Sequence, residues 1–168
     1  MYRRNWQRAF EKGEPLGLLV GWICERYGNK VNVLCHSMGN RLFEGAMRTA
    51  IEHNRKGTIL RKLILFSPDL DTAVDDTDFI RLCKSAEDVM LFMHRNDRLL
   101  MLSSWSHGRE RLGRGGAHGD LASFCASCHF LVVDMTDHVQ GIHNHTHLHR
   151  DWVQQRIRVA LTTQRSAP

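Results

Sequence analysis

Residues 31–40 read Val-Asn-Val-Leu-Cys-His-Ser-Met-Gly-Asn, and no other stretch limits the fold of this chain so tightly. An apolar, β-branched run (31–35) leads into Ser37; Gly39 follows two residues later, and Leu42, Ala46, Met47 and Ala50 continue at helical spacing. Strand, sharp turn and helix in that order describe a nucleophile elbow, a strained turn that lifts one hydroxyl clear of a sheet edge. Such a turn packs strand against helix closely, so small side chains are called for two residues before and after the serine. Gly39 meets that requirement, and Cys35 stands where glycine is usual. The turn also sets Ser37 at a helix N-terminus, where the Met38 backbone N–H can face a developing oxyanion. An ordinary N-cap serine after a buried strand has the same local pattern, so the decision falls to the rest of the chain.

Three more strand-like runs follow, at residues 63–66, 88–93 and Phe130–Asp134, with helical segments expected near 78–85 and 98–105. Strands alternating with helices imply a mostly parallel sheet flanked by helices. In such sheets reactive groups gather at the carboxyl ends of the strands. Asp97 lies just past the third run, and a histidine-rich loop, 138–149, just past the fourth. Serine, acid, histidine is the chain order of α/β-hydrolases.

The chain further resembles a bacterial family of uncharacterised α/β-hydrolases, known mainly as a conserved domain of unknown function. The matching elements are His36-Ser37-Met38-Gly39-Asn40, Ser67-Pro68-Asp69-Leu70-Asp71, Asn96-Asp97, Arg111-Leu112-Gly113 and Val133-Asp134. A closing His-Ser-Tyr-Phe-like element of that family resembles His145-Thr146-His147-Leu148. The resemblance covers almost the whole chain and implies Ser37 as nucleophile, Asp97 as acid and His145 as base. The departures are Cys35, where the family has alanine or glycine, and His147, where it has tyrosine.

At 168 residues one domain, 1–168, is expected, with a flexible tail at 162–168. Such a chain buries about two-thirds of its unfolded surface. The residues before the elbow read as helix: Trp6 and Phe10, then a helix started by Pro15 with Leu16, Leu19, Trp22 and Ile23 on one face, stopped at Gly28-Asn29. No strand is expected before Val31. The fold class is therefore an α/β-hydrolase-like sheet lacking its amino-terminal strands, as in a carboxyl-terminal half. In the resembling family the preceding part carries a His-Gly loop with the second oxyanion donor, and losing one donor costs roughly a hundred- to a thousandfold in rate. The first strand would stand as a sheet edge with unpaired backbone groups, a surface for self-association.

Twenty-three Lys and Arg against eighteen Asp and Glu leave +5, too mild and too scattered for a nucleic-acid stripe. The richest basic cluster, Arg109, Arg111 and Arg114, falls in a glycine-rich stretch (108–119) that reads as a solvated surface loop. The apolar run 15–24 is about half the length that spans a bilayer. No basic–apolar–small-residue signal follows Met1, so the expected location is the cytoplasm. Five cysteines fit reduced thiols there, with Cys24, Cys35 and Cys83 in apolar, core-like contexts.

Cys125-Ala126-Ser127-Cys128-His129 spells a c-type haem attachment, but His129 opens into a strand and no cytochrome-like helices surround it, so no cofactor is expected. His143, His145, His147 and His149 alternate, and on an extended segment they could share a zinc ion with Cys125 and Cys128 nearby. Zinc-finger spacing is absent, and the run coincides with the loop where a hydrolase base belongs. Asp69 and Asp71 follow the second strand run, an acid position used by some hydrolases of this fold, and His143 is one alternation from His145; Asp97 and His145 are favoured. Asp134 reads as structural, Asp151 as the cap of a last helix bearing Trp152, Ile157 and Leu161, and His36 as elbow packing. His94, His107, His118 and His138 read as surface residues.

The combined expectation is a serine hydrolase acting on small-molecule carboxylic esters or thioesters through Ser37, Asp97 and His145, with Met38 at the oxyanion. It has no cofactor, no metal, no nucleic-acid partner and no membrane span. The competing expectation is a non-catalytic remnant that binds a partner through its exposed sheet edge; a Cys/His metal-binding protein ranks third.

Overall fold

The computed structural model describes residues 2–53, 60–71, 77–115, 130–139, 145 and 147–163. Among them, β1 (Asn32–His36), β2 (Leu60–Phe66), β3 (Ala86–Met93) and β4 (Phe130–Asp134) form one sheet in the order β1-β2-β3-β4, every neighbouring pair parallel. Helices α1 (Tyr2–Glu11) and α2 (Gly13–Tyr27) and a 3-10 turn (Gly28–Lys30) precede β1. Helix α3 (Met38–His53) follows it, and α4 (Thr77–Lys84) lies between β2 and β3. Helix α5 (Arg98–His107) and the single turn α6 (Leu112–Gly115) follow β3, and α7 (Asp151–Thr162) closes the chain. A parallel sheet flanked by helices is the expected α/β class. Thr162, expected in a tail, belongs to α7; residues 164–168 lie outside the described ones.

Parallel strands need cover on both faces, which is why β2 reads as a continuous apolar run. Leu63 and Leu65 of β2, with Val89 and Leu91 of β3, pack beneath Phe43, Ala46 and Met47 of α3 and Phe79 and Leu82 of α4. Ile64, Phe66 and Phe92 point the other way, onto Met135, Val139 and Val153 of α7, with the two phenyl rings stacked 5.5 Å apart. No strand precedes β1 among the described residues, and β1 pairs on one side only, with β2.

Helix α2 departs from expectation in its orientation. Leu19 and Trp22, expected in the core, are 51% and 61% exposed, while the buried residues are Gly13, Gly17, Val20, Gly21 and Cys24. The small-residue row wins because it allows backbone-to-backbone approach: a Cβ on Gly17 would lie 2.3 Å from Ala46 O, and one on Gly13 2.3 Å from Ala46 N. Helix α1 reaches α3 as closely, since a Cβ on Gly45 would meet Phe10 O at 2.1 Å. Cations complete that contact, with the Arg41 guanidinium 4.0 Å from the Trp6 ring centroid and 4.1 Å from that of Phe10. No helix among the described residues is long and apolar enough to cross a membrane.

Two alanine substitutions on this one helix should therefore act in opposite directions. Each gains up to about 1 kcal/mol in helix propensity. At Gly17 the added methyl strikes immobile backbone, and overpacking costs about 1–3 kcal/mol or more; at Gly21 it meets nothing within 4 Å. Gly17→Ala should lower Tm by several degrees, and Gly21→Ala should leave it unchanged or raise it, as read by thermal unfolding.

Candidate active site

The junction of β1 and α3 forms around Ser37, whose φ of 54° lies in the left-handed region. That conformation costs a residue with a Cβ about 1–3 kcal/mol, so the surroundings must hold it. They hold the serine carbonyl: Ser37 O accepts from Asn40 N (3.1 Å), Asn40 Nδ2 (2.9 Å) and Asp69 N (3.3 Å). Asn40, fully buried, also donates to Phe66 O at 3.3 Å. Ser37 N in turn donates to Phe66 O at 3.0 Å, so the turn hangs from the last residue of β2. The packing reason for Gly39 does not hold here, since a Cβ at that position would meet nothing within 4 Å. Cys35 is buried, and burial pushes its thiol up to about 12, so it stays protonated beside Ser37 in sequence.

Asp97 follows β3 and caps α5. Its Oδ1 accepts from Leu100 N at 3.0 Å, satisfying one of the unpaired donors of the first helical turn. Its Oδ2 lies 2.7 Å from His145 Nδ1, with both side chains buried. A carboxylate only accepts, so neutral His145 carries its proton on Nδ1 and leaves Nε2 with a lone pair. The loop is anchored by its neighbours. His36 Nε2 donates to His145 O at 3.0 Å, and the two rings stand 4.8 Å apart. His147 O accepts from Arg150 N at 3.0 Å, and the His147 ring lies 5.6 Å from that of His94.

His94 is therefore not a surface residue. It is 1% exposed, donates from Nε2 to Val139 O (2.9 Å) and accepts Asn96 N at Nδ1 (3.1 Å), which spans the β3 end and the loop after β4. His107 is half-buried against Tyr2 and Trp6, and His138 is exposed but stacked on Trp152. His118 and His143 lie outside the described residues, as do Cys125, Cys128 and His129. Asp151 opens α7 rather than capping it; Arg150 holds the cap position, and Asp151 meets the positive end of the helix dipole instead. Asp134 behaves as expected, binding Arg95 Nε at 2.9 Å and the Thr136 backbone N–H at 2.9 Å.

Asp69, the alternative acid, has other partners. It accepts from the Tyr2 hydroxyl and from Ser103 Oγ (2.6 Å), and Arg111 Nε stands 3.3 Å from its Oδ1. Arg111, expected on a solvated loop, is fully buried because Asp69 and Asp71 neutralise it and the Trp6 ring covers it at 5.1 Å. Burial pulls its guanidinium below the usual range while the two carboxylates oppose the shift, which keeps it charged. Residues 68–71 and 111–113 pair as a short ladder, with Leu112 N donating to Leu70 O (2.9 Å) and Gly113 N to Pro68 O (3.0 Å). Gly113 is required there: a Cβ would fall 2.8 Å from Pro68 N. The cluster lacked any local spacing signal, although both of its halves fall in the elements that carry the family resemblance.

Ser37 and His145 line one cavity of about 430 Å³, together with Met38 and residues of α5. A second cavity, about 490 Å³, lies between β3, β4 and α7 and holds neither residue. Among the described residues no three His, Cys, Asp or Glu side chains cluster so as to hold a metal.

Two histidines of this region make stability fall in acid. Burial, the largest cause, lowers the pKa of both His36 and His147; for His147 the charges of His94 and Arg150 act in the same direction, and Asp97 opposes them. The unfolded chain takes up protons near pH 6.5 while these native rings remain neutral, so their contribution is complete above that pH and is lost as pH falls through the native pKa. His147→Tyr should fold and should lose less Tm between pH 7 and pH 5 than the parent; an unchanged Tm difference would remove His147 from this account.

The family described as alpha/beta hydrolase of unknown function (DUF900) matches residues 19–165, a span that takes in the elbow, Asp97, the Asp69–Arg111 ladder and His145. No curated protein and no solved structure matches the chain. The parallel sheet with helices on both faces and the family match agree, and the chain belongs to the DUF900 family of alpha/beta hydrolases.

Proposed function

We propose that the protein is a serine hydrolase of carboxylic esters or thioesters, with Ser37 as nucleophile, His145 as general base and Asp97 as the acid that orients it. The observation that carries the reading is the buried 2.7 Å contact between His145 Nδ1 and Asp97 Oδ2, in a histidine that shares a cavity with a serine at φ 54°. Ser37 Oγ attacks the acyl carbonyl as His145 Nε2 takes its proton. The imidazolium that forms is stabilised by the Asp97 carboxylate and then gives the proton to the leaving alcohol or thiol. Water repeats the cycle on the acyl-enzyme. Met38 is the first residue of α3, so its N–H has no partner within the helix and serves the oxyanion. Asp97 suits its role because its second oxygen is held by Leu100 N, which fixes the direction of the carboxylate.

A second reading, a non-catalytic binding module, draws on a separate observation. The β1 edge bears half-exposed Leu34, and α2 exposes Leu18, Leu19 and Trp22. It predicts partner binding without turnover.

A fluorophosphonate probe should label Ser37, and Ser37→Ala should abolish labelling; label that survives the substitution identifies a different nucleophile. Asp97→Asn, which favours the wrong imidazole tautomer, should lower kcat by about 10³–10⁴ while circular dichroism shows a folded protein. EDTA should change neither turnover nor Tm.

A further inference from the structure

Beyond Ser37, His145 and the hydroxyls of Tyr2, Ser103 and Ser106, the cavity beside Ser37 is lined by apolar side chains. Helix α5 contributes Leu99, Leu100, Leu102 and Trp105, and Met38 adds a thioether; no Lys, Arg, Asp or Glu lines it among the described residues. Two of its four hydroxyls are committed elsewhere. Tyr2 Oη and Ser103 Oγ both donate outward to Asp69, so their polar atoms are satisfied away from the cavity. An anionic or cationic substrate group placed here would lose its hydration without meeting a Lys, Arg, Asp or Glu side chain among the described residues. Leu99, Leu102 and Trp105 recur every three residues along α5 and stand 49%, 56% and 86% exposed, an arrangement in which apolar surface continues from the cavity to its mouth.

Resting on the serine-hydrolase reading above, we propose that this cavity receives a straight, uncharged acyl chain, making the substrate a medium-chain aliphatic ester, with Leu102 and Trp105 setting chain-length specificity. The size of the space limits the chain. At about 30 Å³ for a water-sized group, which a methylene resembles, about 430 Å³ holds at most some fourteen such groups. Each methylene moved from water into the cavity improves transition-state binding about fourfold, so kcat/KM should climb with acyl length until the space is filled. The reaction is hydrolysis: the acyl C–O bond breaks, one water is consumed, and the fatty acid and alcohol leave.

The test uses the full chain and p-nitrophenyl esters from acetate to palmitate. Octanoate or decanoate should exceed acetate in kcat/KM by at least a hundredfold, and palmitate should bring no gain over myristate, whose chain already fills the space. Leu102→Glu, at an exposed position where folding is not at stake, should lower the octanoate-to-acetate ratio at least tenfold. An independent binding measurement accompanies it: titration with 1-octanol should shift tryptophan fluorescence to the blue, and Trp105→Phe should remove that shift. A flat chain-length profile, with Ser37-dependent acetate turnover intact, overturns the acyl-chain assignment and leaves the hydrolase reading standing. Octanol binding that depends on Trp105, with no turnover of any ester, overturns the hydrolase reading and supports the cavity as an aliphatic-chain site. Neither turnover nor octanol binding overturns both.

Discussion

The residues that follow β1, β2 and β4 are hung from carbonyls at or next to the end of a neighbouring strand, and the one that follows β3, His94, from Gly113 O. Ser37 N donates to Phe66 O, Ser67 N to Phe92 O and Met135 N to Met93 O, at 3.0, 2.9 and 2.8 Å. These three bonds continue the parallel ladder one step past the sheet and fix where the loops after β1, β2 and β4 begin. Because all four strands run the same way, their loops leave from one edge, and Ser37, Asp97 and the His145 loop reach the same neighbourhood from β1, β3 and β4. A register slip of one residue would send the side chains of a strand to the opposite face and would separate those loops. The two core clusters, Leu63 and Leu65 on one face and Ile64 and Phe66 on the other, oppose such a slip.

Two buried aspartates at that edge differ in role through their partners. Asp69 is satisfied by Tyr2, Ser103 and the Arg111 guanidinium, and it ties α1, α5 and the 111–113 segment to the end of β2. The phenol it binds is pushed up to about 12 by burial and by that hydrogen bond, so Tyr2 remains a neutral donor. Among the described residues Asp97 meets no guanidinium; its oxygens meet the N-terminus of α5 and the His145 imidazole. A buried carboxylate locked to arginine is a structural anchor, while the one facing His145 is the group that orients the base in the triad proposed above.

The amino-terminal helices show how small residues decide packing. Helix α2 is apolar on more than one side, so hydrophobic spacing alone allows several orientations. Gly13, Gly17 and Gly45 bring the three helix backbones within the reach of carbonyl oxygens, and the dispersion gained along that close seam outweighs the burial of Leu19 or Trp22. Those larger side chains are left on the surface.

Local pattern determined much of this protein. The apolar run before Ser37 and the helical spacing after it, the alternation of strands with helices, and the order serine, aspartate, histidine are all short-range properties of the chain, and each corresponds to an element of the fold. The positions of Asp97 after the third strand and of His145 in the loop after the last strand were likewise legible, since both depend on nearby strand ends; that Asp97 also caps α5 was not read. Contacts between segments distant in sequence were not legible. Arg111 read as a solvated loop residue until its partners at 69 and 71 were brought to it; His94 read as a surface residue until Val139 and His147 closed over it. The buried face of α2 depended on the α3 backbone around Ala46, which Gly13 and Gly17 meet. Burial of a polar group, and the choice between two apolar faces, are settled by what arrives from elsewhere in the chain, and only the tertiary structure contains that information.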